Sequence, residues 1–322
     1  MEDAALSDRE TNRSMASQVF KGLLIGGVLV FIFWGIFNIP PRKGQFVLVY
    51  AAQDQVYAEP ILREFEKETG IKVQAVYDSE AVKTVGLANR LLAESAHPQC
   101  DVFWGNEEMR TRQLAAEGVF RETNGWAAFG YRSRRMVRFA PVLGGDVPPW
   151  SLLQLTNHKI ALALPQFGTT ATHFHALRQY WGEERWLAWC RAIATNEPIL
   201  VDGNSVVVKF VARREALIGL TDSDDIAAGQ REGLNIEALP LTAESLLIPN
   251  TVAVIRGGPH PANAQKLFDY LQSSKVVDKL IQANALEGAV APTNVTTLKP
   301  DWDALLRELE ITTKQLNEIF LR

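Results

Sequence analysis

Three aspartates crowd one short segment of the sequence, T-D-S-D-D, at Asp222, Asp224 and Asp225. Carboxylate oxygens are hard ligands that suit Fe(III), Ca(II), Mg(II) or Mn(II), and they also bind cationic or hydroxyl-rich solutes. An aspartate at such a place can instead cap the helix that follows it. The two roles are compatible, and we predict that at least one of the three side chains binds a ligand.

The same arrangement of a strand, a short polar loop and a helix recurs along the chain. Each loop supplies polar, small or aromatic side chains at the end of an apolar run, and the candidates are Gln53, Asp54, Ser79, Glu80, Trp104, Asn106, Glu107, Gly168, Thr169, Thr170, Asp202, Asn204 and Ser205. In open parallel sheets, ligands bind beyond the carboxyl ends of the strands, where helix N-termini offer unpaired N–H groups. The sequence therefore predicts that these loops line one ligand cleft. Trp104 would form a wall of it, with core packing as the alternative.

Two ligand chemistries fit these candidates. A metal ion would be held by the carboxylates Asp54, Glu107, Asp224 and Asp225, because converging carboxylates repel one another unless a cation lies between them. An anion such as a phosphate ester would be held at helix N-termini by Ser79, Gly168, Thr169, Thr170 and Ser205. Each loop residue also has simple helix capping as its alternative. His173 and His175 face different sides of a helix at positions i and i+2, so we do not expect them to share a metal ion.

Alternating strand and helix patterns predict an α/β fold with a mainly parallel sheet. A first series covers residues 45–118, glycines and prolines break the pattern at 144–149, and a second series begins near 159. A later strand and further helices indicate that the chain returns to the first unit. We therefore predict two lobes joined by a hinge. Lobe 1 would consist of 44–140 and 244–322, and lobe 2 of 141–243.

The composition limits the classes of function. The chain has 322 residues, of which 47% are hydrophobic, which is enough for two ordinary domains with real cores. Its formal net charge of -4 argues against a nucleic-acid surface. The two cysteines, Cys100 and Cys190, are too few for a disulfide framework and lack zinc spacing. We predict that they are buried small side chains that are not bonded to each other.

The N-terminus predicts a membrane anchor. Residues 22–37 carry no charge, and with their flanks they approach the ~20 residues that span a bilayer. Because no small-residue cleavage site follows, we predict an uncleaved transmembrane signal anchor over 22–39, preceded by a cytoplasmic polar tail over 1–21. A cleaved signal peptide and a buried helix are the alternatives. The globular part would then lie outside the cytoplasmic membrane, as a periplasmic domain.

Several segments resemble the periplasmic solute-binding proteins of ABC importers, in particular the ferric-iron-binding, two-lobed (type II) branch. The segments, within residues 45–297, are LVYAAQDQVYAEPILREFEKETGIKVQAVYDSEA, CDVFWGNEEMRTRQLAAEGVF, GLTDSDDIAAGQ and IPNTVAVIRGGPHPANAQKLFDYL. The resemblance implies a hinged two-lobed fold, a permease and an ATPase as partners, and a small solute or metal ion as the transported ligand, with no other cofactor. The resemblance does not carry the ligand itself. In the ferric branch, iron is typically held by a tyrosine pair with a histidine and a carboxylate.

This sequence departs from that ligand set. Asp224 and Asp225 occupy the place of the tyrosine pair, the histidine place falls near Asp54, and the carboxylate place falls near Asn106 or Glu107. A metal ion, Fe(III) or a divalent cation, would therefore be held by carboxylates rather than by phenolates.

Two further classes of function remain open at this point. An enzyme could use an acid pair such as Asp54 with Asp222 for hydrolysis. The sequence contains none of the motifs G-x-S-x-G, H-E-x-x-H, C-x-x-C or G-x-G-x-x-G, so we assign no catalytic residue. A membrane-tethered sensor is the other alternative to an importer subunit.

Overall fold

The computed structural model describes residues 46–77, 83–140 and 151–321. The strands are β1 (Phe46–Ala51), β2 (Lys72–Tyr77), β3 (Val102–Gly105), β4 (Trp126–Phe139), β5 (Ile160–Ala163), β6 (Ile199–Val201), β7 (Ile218–Asp222), β8 (Ile236–Ala238) and β9 (Leu246–Val254). The helices are α1 (Gln55–Thr69), α2 (Lys83–Ala93), α3 (Glu108–Ala116), α4 (Gly168–Trp181), α5 (Glu183–Thr195), α6 (Asn204–Ala212), α7 (Ser223–Arg231), α8 (Pro261–Leu271), α9 (Ser274–Gln282), α10 (Trp302–Arg307) and α11 (Leu309–Phe320). A short 3₁₀ helix covers Leu152–Asn157.

One sheet runs through the described chain in the order β2-β1-β3-β9-β4-β7-β5-β6, and β8 pairs with β4. β1 pairs in parallel with β2 and β3, and these three strands with their helices are called the first half. β5 pairs in parallel with β6 and β7, which form the second half with their helices. Between the halves, β9 and β4 pair antiparallel to each other and to their outer neighbours. The predicted α/β fold is confirmed, and the sheet is parallel within each half but antiparallel where the halves join.

Helix α1 shows how the sequence specifies the elements of the first half. Its apolar residues Ile61, Leu62 and Phe65 recur at helical spacing and are buried. Gly70 ends the helix in the left-handed conformation with φ 73°, and its N–H donates to the Glu66 carbonyl.

Strand β4 was not predicted. It is 14 residues long, the longest strand described, and its R-S-R-R segment breaks the alternation of apolar and polar residues on which strand prediction depends. Its pairing with β9 shifts register between Phe129 and Arg132. Gly130, with φ 57°, lies inside this bulge, where only glycine avoids steric cost.

Each half has apolar clusters of its own. Trp104 and Phe65 belong to a cluster of the first half, and Trp186 belongs to one of the second half. Cys100 and Cys190 lie in different clusters, are buried and form no disulfide. Burial raises the pKa of both thiols, which keeps them protonated.

The C-terminal segment is helical in two pieces. The structure divides it into α10 and α11 at Glu308. Leu316, Ile319 and Phe320 of α11 pack in the apolar cluster of the second half, beside Trp186. The proposed lobe boundaries stay a prediction.

Some predictions concern residues outside the described ranges. These are the polar tail 1–21, the signal anchor 22–39, and the site candidates Ser79 and Glu80. Among the helices of the described ranges, none is both long enough and apolar enough to cross a bilayer.

Candidate functional site

A cavity lies where the carboxyl ends of β1 and β3 face those of β5, β6 and β7. The predicted candidates that line it are Asp54, Asn106, Gly168, Thr169, Thr170, Asp202, Asn204, Asp222, Asp224 and Asp225. It is also lined by Thr84, Arg132, Ala163, Leu164, Phe167 and Gly203, which were not predicted. The centre of a water-sized molecule has about 40 Å³ available inside it. This is room for a few waters or a small ion, since one water needs about 10–15 Å³ by the same measure.

The three aspartates of the T-D-S-D-D segment meet at this cavity. Oxygens of Asp222, Asp224 and Asp225 lie within 4.8 Å of one another, a separation that fits shared binding of a cation. Asp222 occupies the N-cap position of α7, but its side chain makes no capping hydrogen bond. For Asp222, therefore, simple helix capping does not account for the carboxylate.

Two arginines of β4 contact the aspartates Asp222 and Asp224. Arg132 Nη2 lies 3.4 Å from Asp222 Oδ2, and its Nε lies 3.4 Å from Asp224 Oδ1. Arg134 Nη1 lies 3.0 Å from Asp222 Oδ1, and neither arginine is more than 2% exposed. Burial alone would lower the pKa of Arg132, but Asp224 and Asp222 raise it above the ordinary arginine value, so the guanidinium is charged.

Asp222 is saturated with hydrogen bonds. Its Oδ1 accepts from Arg134, and its Oδ2 accepts from Thr169 Oγ1 at 2.8 Å, Asn204 Nδ2 at 3.2 Å and Arg132 at 3.4 Å. Burial alone would raise the pKa of Asp222, but Arg134 and then Arg132 hold it below its usual value. Asp222 therefore ties together the loops that begin α4, α6 and α7, and it has little capacity left for a ligand.

Four helices begin at the cavity without a side-chain cap. These are α1 after Asp54, α4 after Phe167, α6 after Gly203 and α7 after Asp222. The first N–H groups of a helix have no partner inside it and carry a partial positive charge. Gly168, with φ 54°, adopts a backbone conformation that other residues rarely adopt.

Glu107, predicted as a metal ligand, is a buried helix cap. Its carboxylate accepts from Met109 N at 2.7 Å and Arg110 N at 2.9 Å, and Thr172 Oγ1 donates to it at 2.8 Å. Burial raises its pKa, and it does not line the cavity. The structure therefore corrects the metal-ligand interpretation of this residue, because its oxygens are occupied by its own helix and by α4.

Three other candidates lie outside the cavity lining. Trp104 is fully buried in the first half, and its ring centroid lies 6.4 Å from that of Phe129, so it is core rather than a cleft wall. Gln53 is 2% exposed and does not line the cavity. Ser205 lies in the first turn of α6, also away from the lining.

The two histidines of α4 make separate contacts. His173 Nε2 donates to the Glu244 carbonyl at 2.7 Å, and His175 Nδ1 donates to the Ala171 carbonyl at 2.8 Å. Burial lowers the pKa of His173 to about 3 and that of His175 to about 4. Both imidazoles are therefore neutral at neutral pH, and they serve the packing of α4.

The arginines are what the sequence interpretation missed. Arg132 and Arg134 alternate along β4, so both point to the same face of the sheet. One feature of the sequence did indicate them, namely the three carboxylates of T-D-S-D-D. If these carboxylates are buried, positively charged side chains must be buried beside them. Nothing local in the sequence indicates which of the many arginines supplies it.

Comparisons with known proteins agree with this geometry. Residues 47–283 match the family described as bacterial extracellular solute-binding protein. No curated protein matches the chain significantly. At identities below 20%, the solved structures that follow show a shared fold.

The apo ferric ion-binding protein A of Pasteurella haemolytica has a TM-score of 0.73 and 18% identity, over 86% of this chain and 98% of that one. The periplasmic binding protein AfuA of Actinobacillus pleuropneumoniae, with fructose-6-phosphate bound, has a TM-score of 0.72 and 17% identity, over 87% and 99%. Trichodesmium IdiA (FutA), in complex with iron and citrate, has a TM-score of 0.66 and 16% identity, over 86% and 100%.

The predicted resemblance to the ferric-binding, two-lobed type is thus confirmed at the level of fold. The cavity lies at the carboxyl ends of the strands, the position at which open α/β sheets bind ligands in general. With the family match extending over most of its length, the chain belongs to the bacterial extracellular solute-binding proteins.

Proposed function

We propose that this protein is the extracytoplasmic solute-binding subunit of an ABC importer, and that it captures a metal ion, alone or carried by a small solute. Asp54, Asp224 and Asp225 hold the cation. The two halves close around it, and the closed form is presented to a permease and its ATPase. The N-terminal segment anchors the protein in the membrane.

The observation that carries this proposal is the acidic character of the cavity. Among the described residues, five aspartates and one arginine line it, and oxygens of three of those aspartates lie within 4.8 Å of one another. Carboxylates brought this close repel one another unless a cation offsets their charge. Arg132 and Arg134 supply part of that offset, and a bound metal ion supplies the rest.

The aspartates divide into distinct roles. Asp222 is occupied by Arg134, Thr169 and Asn204, so it positions the site rather than binding the cation. Asp54 lies at the carboxyl end of β1 in the first half, whereas Asp224 and Asp225 begin α7 in the second half. A cation bound by both sets joins the halves, which couples binding to closure. No tyrosine is among the described residues of the lining, so the oxygen ligands are carboxylates.

A small anion such as a phosphate ester is the second candidate. It is favoured by the uncapped N-termini of α4 and α6 at the cavity, together with Arg132. The fructose-6-phosphate bound to AfuA supports this chemistry, just as the iron bound to the Trichodesmium protein supports the first. A tethered sensor would use the same site without the permease.

Elemental analysis separates the two candidates. We expect the full chain, purified from its native membrane fraction without chelator, to carry about one metal ion per chain, and we expect chelation to lower its melting temperature. A ligand at a hundredfold excess over its Kd stabilises the folded state by about 2.7 kcal/mol. A chain that carries no metal, and that inorganic phosphate or a hexose phosphate stabilises while Fe(III)–citrate, Mn(II) and Ca(II) do not, would support the anion candidate instead.

A further inference from the structure

One buried hydrogen bond crosses from the first half to the second beside the cavity. Thr172 of α4 donates to Glu107 Oε2 at 2.8 Å, and both side chains are at most 1% exposed. Glu107 is held in place by the backbone N–H groups of Met109 and Arg110. If the halves separate, this bond breaks, and Glu107 stays with α3 while Thr172 leaves with α4.

A second set of contacts crosses between the halves through the C-terminal end of α7. Arg231 Nη2 donates to the Tyr57 hydroxyl of α1 at 3.0 Å, and its Nη1 donates to the Ala283 carbonyl at the end of α9 at 3.2 Å. Tyr57 is 8% exposed. One guanidinium of the second half thus contacts α1 of the first half and α9, which packs in the same apolar cluster as β1.

Neither set of contacts belongs to the lining. Thr172, Glu107, Tyr57 and Arg231 are all absent from the cavity surface, so a bound solute does not touch them. Both sets nevertheless connect the halves whose facing strand ends form the cavity. These contacts therefore stabilise the closed form of the protein without contacting the solute.

We propose that Thr172–Glu107 and Arg231–Tyr57 are two clasps that stabilise the closed cleft whether or not a solute is bound, and that they set the balance between closed and open forms. The proposal rests on the proposed capture of solute by closure. Without the Thr172 hydroxyl, the buried Glu107 carboxylate regains a partner from water only if the halves open, so that deletion favours the open form. Arg231 is exposed, so deleting the Tyr57 hydroxyl removes one hydrogen bond between the halves without leaving a buried charge unpaired. Residues that never contact the solute would then determine how tightly it is held.

Two conservative variants with matched controls test the clasps. Thr172→Val removes the donor to Glu107, with Thr312→Val, an equally buried threonine in α11, as its control. Tyr57→Phe removes the acceptor for Arg231. Tyr270→Phe is its control, because the Tyr270 hydroxyl has no hydrogen-bond partner within the part of the chain that the structure describes. The control changes leave both crossing contacts intact.

The readout is the distance between the halves in the full chain without added solute. Spin labels are placed at Lys266→Cys on α8 and Glu184→Cys on α5, which are exposed. Cys100 and Cys190 are buried and stay unlabelled. We expect one short distance for the wild-type background. The ratio of closed to open forms should fall about tenfold in Thr172→Val, whose partner is buried, and by a smaller factor in Tyr57→Phe, whose partner Arg231 is exposed.

Unchanged distance distributions in both clasp variants would overturn the proposal, as would an open wild-type background or an equal shift in the control variants. Because no solute is added, this result does not depend on which ligand the cavity binds. A protein purified without bound metal would contradict the proposed function but would not contradict the clasp proposal.

Discussion

Replacing Arg134 with methionine is expected to lower the free energy of unfolding by about 3–5 kcal/mol, because it leaves a buried carboxylate without its main partner. Arg134 is fully buried, pairs with Asp222 at 3.0 Å and donates to Asn204 Oδ1 at 2.7 Å and to the Leu220 carbonyl at 3.2 Å. The same change frees the loops that begin α4 and α6 from their common anchor. We therefore expect solute binding to be lost as well. Urea denaturation of the full chain measures the first effect.

The next residue of the same strand supplies the control. Arg135 pairs with Glu287, and both side chains are partly exposed. Since exposed ion pairs contribute about 1 kcal/mol or less, Arg135→Met is expected to have a small effect. Equal destabilisation by the two changes would contradict the role given to the buried network around Asp222.

Mild acid is expected to destabilise the fold steeply through the two histidines of α4. The folded pKa values of His173 and His175, about 3 and about 4, lie below the ordinary value of 6.5. Between these limits the unfolded chain binds protons that the folded chain does not. The stability that the two neutral histidines contribute is therefore fully present above pH 6.5. It is lost as the pH decreases towards 4. Two protons correspond to a slope of about 2.7 kcal/mol per pH unit at most.

Denaturation between pH 7 and pH 5 measures this slope. His175→Gln is expected to reduce it by about half, because one of the two buried imidazoles is gone. His97→Gln, at an exposed position, is the control and should leave the slope unchanged. Asp222, whose pKa is lowered, contributes in a separate window below its ordinary value of 3.8. A slope that His175→Gln does not alter would show that carboxylates, not imidazoles, govern the acid sensitivity.

The sequence predicted the location of the cavity well for a simple physical reason. Alternating strand and helix patterns require parallel strands, and parallel strands bring their carboxyl ends to one edge. Loops as far apart as Asp54, Thr169 and Asp224 could therefore be assigned to one cleft, and all three line it.

The sequence did not predict which buried side chains pair with the aspartates of the cavity. β4 carries four arginines, which hide its strand pattern, and the partners of Arg132 and Arg134 lie about 90 residues away. A carboxylate between a strand and a helix can bind a ligand or cap the helix, and the sequence around Glu107 does not distinguish these two roles. The structure shows that the backbone N–H groups of Met109 and Arg110, together with Thr172 on α4, occupy its oxygens.

The most direct test of the proposed metal site is the metal-dependent thermal stabilisation of the full chain when Asp224→Ala and Asp225→Ala are combined. The control is Asp269→Ala with Asp278→Ala, two exposed aspartates of α8 and α9. We expect an added metal ion, Fe(III)–citrate, Mn(II) or Ca(II), to raise the melting temperature of the wild type and of the control, and to leave the site variant unchanged. The proposed metal site is wrong if the site variant keeps the wild-type stabilisation, or if none of these ions stabilises the wild type while phosphate esters do.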